Sequence, residues 1–172
     1  MITKPTINAL AITMLIAIIA LISHAGHAGN VGSTPGIEGT YKLVMRELPD
    51  GKKLGPPDVI GYMTFTKEYR NFNVYWKDPQ GKAFSISYVA SYELSDKEYR
   101  EKSIYYMENN EIDGKPVKYD HTGPSGASPV IRKNGRLEFQ LPLYGEPFGV
   151  FEGDKFTASR KGAFVDHWEK VK

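Results

Sequence analysis

From Ile37 onward the chain alternates apolar and polar positions with a period of two, as half-buried strands do. In 37–46 the odd positions are Ile37, Gly39, Tyr41, Leu43 and Met45, set against Glu38, Thr40, Lys42, Val44 and Arg46. Phe72, Val74 and Trp76 alternate with Asn71, Asn73, Tyr75 and Lys77. Phe84, Ile86, Tyr88, Ala90, Tyr92 and Leu94 share one face, with Ser85, Ser87, Val89, Ser91 and Glu93 on the other. Leu137, Phe139 and Leu141 alternate with Arg136, Glu138 and Gln140. No window of a dozen residues carries a helical stripe. Ser95–Glu101 opens like a helix cap but has almost no apolar face, and reads as a turn running into another strand.

Turn chemistry agrees with the strand pattern. Asn134-Gly135 between Lys133 and Arg136 is a strong hairpin signal, because both residues accept positive φ. Pro49-Asp50-Gly51 and Pro79-Gln80-Gly81 place proline where φ is near −65° and glycine where it turns positive. Asp113-Gly114 and Gly153-Asp154 add further reversals. Eight to ten strands joined hairpin after hairpin predict an all-β, antiparallel up-and-down barrel, which leaves no open edge.

Ile37-Glu38-Gly39-Thr40-Tyr41-Lys42-Leu43-Val44 resembles the G-T-W/Y-x-L-V opening of bacterial lipocalin-like domains of the calycin group. Gly61-Tyr62-Met63-Thr64-Phe65 resembles their second strand, Tyr88–Leu94 a later one, and His167-Trp168-Glu169-Lys170-Val171 their W-E-R/K-V ending. The similarity spans about 37–171. Two departures stand out: Tyr41 occupies a position where Trp is commoner, and the polar stretch 109–130 does not align. The resemblance implies a calycin/lipocalin-like barrel of about eight strands with a pocket at one mouth, and no particular ligand.

The N-terminus sets the compartment. Lys4 is the only charge before an apolar run of 14 residues, Ala9 to Ile22, followed by Ser23, Ala25, Gly26 and Ala28. This is the pattern of a secretory signal peptide over 1–28, cleaved after Ala28 or Ala25. The run is shorter than the roughly 20 residues a spanning helix needs, so the membrane is met only through the signal peptide before cleavage. Without cysteine there is no lipidation site, and a periplasmic or secreted protein is expected. Residues 29–36 read as a flexible lead-in and 37–172 as one domain. Lys4 removed, 21 basic residues face 20 acidic ones, which argues against a nucleic-acid partner. With no disulfide, stability rests on a packed core.

The aromatic load is the main functional lead. Tyr62, Phe72, Trp76, Phe84, Tyr88, Tyr92, Phe139 and Tyr144 fall largely on the expected inward faces. A barrel of this size either fills its interior or encloses one small ligand. In the second case a small hydrophobic or amphipathic molecule would lie against Phe72, Trp76, Tyr88, Tyr92 and Phe139, with Tyr62 or His167 as polar anchors. No cofactor and no metal is expected: His121 and His167 are too few and too far apart for zinc. Asn109 to Asp120 only partly imitates a calcium loop and is interrupted by Pro116. Ser125 lacks the strand-to-helix turn of a nucleophile elbow. Arg132, Lys133 and Arg136 crowd one hairpin tip, either steering an anionic ligand or forming a solvated turn. Two alternatives stay open: an isomerase or cyclase using His167, Asp166 or Glu93, and an envelope module acting through the surface of a filled barrel. The ligand, the oligomeric state and the course of residues 109–130 are not set by these patterns.

Overall fold

The computed structural model describes residues 36–172. The expected signal peptide, 1–28, and all of the lead-in except Gly36 lie outside the described residues. Thirteen strands form one antiparallel sheet curled into a half-barrel, and no helix occurs among the described residues. They are β1 (Gly39–Glu47), β2 (Lys53–Leu54), β3 (Val59–Phe65), β4 (Tyr69–Lys77), β5 (Ala83–Leu94), β6 (Glu98–Asn110) and β7 (Lys115–Asp120). There follow β8 (Ser125–Pro129), β9 (Ile131–Lys133), β10 (Arg136–Gln140), β11 (Phe148–Glu152), β12 (Lys155–Arg160) and β13 (Phe164–Lys170). The order across the sheet is β7-β6-β5-β4-β3-β1-β13-β12-β11-β10-β9.

The expectation of about eight strands is therefore corrected to thirteen. The extra elements are short or come from the polar stretch that the repeat pattern did not reach. β2 is two residues laid on β1, and 109–130 supplies the end of β6 together with β7 and β8. β8 and β9 follow one another across Val130, the first pairing with β6 and the second with β10. Residues 125–133 thus touch both ends of the sheet. Ser95–Lys97 is a turn into β6, as its sequence predicts.

Two β-bulges reassign faces. In β1 the pairing with β13 skips Val44, so the inward residues change from Tyr41 and Leu43 to Arg46. In β6 the pairing with β5 skips Ile104, so the inward set changes from Tyr99, Glu101 and Ser103 to Tyr106. The plain alternation had placed Met45 inside and Arg46 outside; the bulge reverses this.

Strand directions give the interior two halves. The lower half lies by the turns 66–68, 95–97, 134–135 and 153–154. Tyr41, Phe65, Tyr99, Phe139, Phe151 and Phe156 fill it with stacked and edge-to-face rings. Asn134 at φ 54° and Gly135 at φ 76° make the predicted tight turn there. The upper half lies by the turns 78–82, 111–114 and 161–163, and is packed differently.

Candidate functional site

The upper half holds a cavity of about 100 Å³. Its walls come from β4 and β5, which send Val74, Trp76, Phe84 and Ile86 inward by simple alternation, and from β12 and β13, which supply Ala158, Arg160, Phe164 and Trp168. Met63, Phe72 and Arg70 form its floor. Residues 141–147 close one side as a strap between β10 and β11, contributing Tyr144 to Pro147. Trp76 stacks on Phe84 with ring centroids 4.1 Å apart.

Two buried arginines stand in this apolar setting. Arg46 donates from Nε and Nη2 to the two carboxylate oxygens of Asp166, at 2.6 and 2.7 Å. Its guanidinium packs on the rings of Trp76 and Phe164, 4.4 and 4.3 Å from their centroids. Burial raises the Asp166 carboxyl above its usual range, and the hydrogen bonds and charge of Arg46 work against that rise. Arg70, fully buried, donates from Nη1 to Glu101 at 2.9 Å and from Nη1 and Nη2 to Glu146 at 2.9 and 2.5 Å. Burial works against the Arg70 charge, but the carboxylates of Glu146 and Glu101 outweigh it and hold the guanidinium charged. Burial likewise pushes Glu101 up, against the pull of Arg70. Arg70 Nε, Tyr88 Oη and Tyr99 Oη are buried without a hydrogen-bond partner.

Glu146 belongs to the strap, so its pair with Arg70 anchors that segment to β4. Tyr144, at φ 52°, stacks on Tyr106 at 4.0 Å and donates to Ser103 Oγ at 3.0 Å. A left-handed tyrosine costs on the order of 1 kcal/mol or more, and these contacts hold it there.

Of the residues expected to line a pocket, only Phe72 and Trp76 do so. Tyr92 and Phe139 are part of the filled lower core. Tyr88 is buried against Tyr106 and Tyr144 behind the cavity wall. Tyr62 is corrected outright: Gly61, Met63 and Phe65 take the inward positions of β3, which leaves Tyr62 on the outer face, 52% exposed. His167 sits between inward-facing Asp166 and Trp168 and so projects to the outer side, where Met45 and Thr157 flank it. Glu93 is exposed. The basic tip at Arg132, Lys133 and Arg136 lies at the lower end, away from the cavity, with Arg132 near Asp96 and Arg136 paired to Glu152. In the calcium-like stretch Asp113 accepts from Asn110 and pairs with Lys115.

Sequence reasoning missed Arg46, Arg70, Glu101 and Glu146. Arg70 was accessible by carrying the parity of Phe72, Val74 and Trp76 back by one step. Arg46 was not, because nothing in the residues near Val44 announces the bulge.

A separate open depression of about 990 Å³ runs past Tyr69, Glu93, Arg100 and Lys102. It carries both signs of charge and faces solvent. No family model, curated protein or solved structure matches the chain.

Proposed function

We propose that the protein is an exported, lipocalin-like binding barrel that holds a small amphipathic molecule in the upper half of its interior. The observation that carries this reading is the asymmetry of the interior. One half is filled by interlocked aromatic rings, while the other keeps a cavity with aromatic walls and polar groups at fixed positions. Apolar walls with a few oriented polar groups are the usual composition of a small-molecule site. Export rests on the signal-peptide pattern of residues 1–28, and the lipocalin-like assignment on the motifs at 37–44, 61–65 and 167–171.

Size limits the ligand. A cavity of about 150 Å³ in another protein holds benzene, so about 100 Å³ takes a group somewhat smaller than that ring. The larger part of any bigger ligand must sit at the mouth or displace the strap.

Trp76 and Trp168 are the two tryptophans of the chain, and both line the cavity. Their fluorescence therefore reports on it directly. Titration with 1-hexanol is expected to shift the emission in a saturable way. Ala158→Leu, which fills the cavity, is expected to abolish the response while the far-ultraviolet spectrum stays that of the folded sheet. Absence of any saturable response in the wild type sinks the reading.

A second reading, an envelope module acting through its surface, is favoured by the outer face of β3 to β7. Ile60, Tyr62, Asn71, Asn73, Ser85, Ser87, Met107, Asn109, Val117 and Tyr119 form an uncharged patch there, bordered by Lys77 and, further along the same strands, by Glu93, Arg100 and Lys102. Interface cores are likewise depleted in charge and enriched in aromatic residues. Tyr62→Ser with Tyr119→Ser leaves hexanol binding intact on either reading, and releases the protein from envelope fractions only on the second.

A further inference from the structure

The charges around the cavity do not all cancel against one another. Asp166 occupies Nε and Nη2 of Arg46, and its Nη1 has no hydrogen-bond partner among the described residues although Arg46 is 96% buried and lines the cavity. Arg160 lies at the mouth, paired across the β12–β13 hairpin with Phe164, the ring on which Arg46 packs. Arg160 makes no ion pair among the described residues. Its guanidinium lies beside Gly145 of the strap. The carboxylates nearby are already engaged: Asp166 by Arg46, Glu101 and Glu146 by Arg70, and Glu108 by the Tyr106 hydroxyl.

We infer that the cavity selects an anionic amphiphile, with a carboxylate held at the mouth by Arg160 and reached by Arg46 Nη1, and a short apolar tail among Trp76, Phe84 and Phe164. This rests on the reading that the cavity is a binding site, and names the chemical class that the site takes. Three observations bear on it independently. An unpaired guanidinium at the mouth is the partner a carboxylate lacks. A half-satisfied buried guanidinium behind it offers a second donor in a medium where charge-assisted hydrogen bonds are strong. The aromatic walls accept an alkyl tail, and Arg46 already packs on the rings of Trp76 and Phe164 that would otherwise attract a cation. The carboxylates a cationic ligand would meet already accept hydrogen bonds, Asp166, Glu101 and Glu146 from arginines and Glu108 from the Tyr106 hydroxyl.

The test compares three ligands of equal chain length, hexanoate, 1-hexanol and hexylamine, by the fluorescence of Trp76 and Trp168 at neutral pH and low salt. Hexanoate is expected to bind at least tenfold tighter than 1-hexanol, and hexylamine more weakly than either. Added salt is expected to narrow the first gap, since the mouth is open to solvent. Arg160→Gln should bring hexanoate to the affinity that 1-hexanol has for the same variant. Arg160 lies at the mouth and is exposed, so this variant keeps the core intact. Equal binding of hexanoate and 1-hexanol overturns the inference and leaves the cavity reading standing. Tightest binding of hexylamine overturns it in the opposite sense. A hexanoate preference that survives Arg160→Gln overturns the role of Arg160. Binding of none of the three removes both the inference and the reading it rests on.

Discussion

Arg46 and Asp166, 120 positions apart in the chain, face each other edge to edge in the interior, Nε and Nη2 of the guanidinium each matched to one carboxylate oxygen. The pair exists because the bulge at Val44 turns Arg46 inward at the row where β13 presents Asp166. Asp166→Asn leaves a buried guanidinium without its counter-charge, and is expected to cost about 3–5 kcal/mol. The double change Arg46→Met with Asp166→Leu removes both charges and should cost less than the single one. Urea unfolding of the two variants and the wild type decides this, and a double variant weaker than Asp166→Asn contradicts it.

The strap is held by Glu146. Glu146→Gln weakens the bond to Arg70 while Glu101 still holds the guanidinium, so the barrel stays folded. The expected loss is about 1.5–3 kcal/mol. Chymotrypsin should then cut at Leu143 or Tyr144 well before the wild type is cut there. Unchanged cleavage means the strap is held by the Tyr144–Tyr106 stack instead.

Gly61 is inward on β3 because Trp168 needs its space. A methyl group built there would meet Trp168 Cη2 at 2.6 Å and Leu43 Cβ at 3.1 Å. Gly61→Ala should destabilise by about 1–3 kcal/mol and displace Trp168, changing the emission spectrum. A variant as stable as the wild type, with the same emission, shows that β3 and β13 can separate without cost.

Alkali should unfold the protein earlier than its neutral-pH stability suggests. Burial pushes Tyr41 and Tyr92 up to about 12, and raises Tyr88, Tyr99 and Tyr106 as well. Their folded values lie above the roughly 10 of an unfolded chain. The stability they contribute is therefore complete below about pH 10 and is lost as pH rises through the folded values. Tyrosinate absorbance of the folded protein should lag behind that of the urea-unfolded chain, and then jump as the fold is lost. Coincident titration curves would mean the interior phenols are reached by hydroxide in the folded state.

The strands with strict alternation were legible in the residues. β5 and β10 have the inward faces their periods predict, and Asn134-Gly135 makes the expected turn. What failed has two physical causes. A bulge changes parity without changing composition, so Arg46 and the inward part of β6 were invisible to a period of two. Aromatic content also misled, because Tyr62 carries a large apolar ring yet occupies the parity opposite to Gly61 and Met63. Of the aromatics read as facing inward, Phe72, Trp76, Phe84 and Tyr144 lie at the cavity. Glu146 was not read as part of the interior, because a strap has no period to read, although Leu141 and Leu143 continue the inward rhythm of β10.

The first described strand completes its pairing only with the last. β1 lies between β3 and β13, and the N–H of Val171 bonds to the carbonyl of Thr40. Loop closure on that scale is slow, and contact order of this kind places the fold among slow-folding topologies. During synthesis the nascent chain cannot seal its sheet before residues 164–170 emerge, and until then both β1 and β12 present bare edges. A chain that must wait for its C-terminal strand stays pliable while it is being made. That places a demand on whatever shields those edges until β13 arrives.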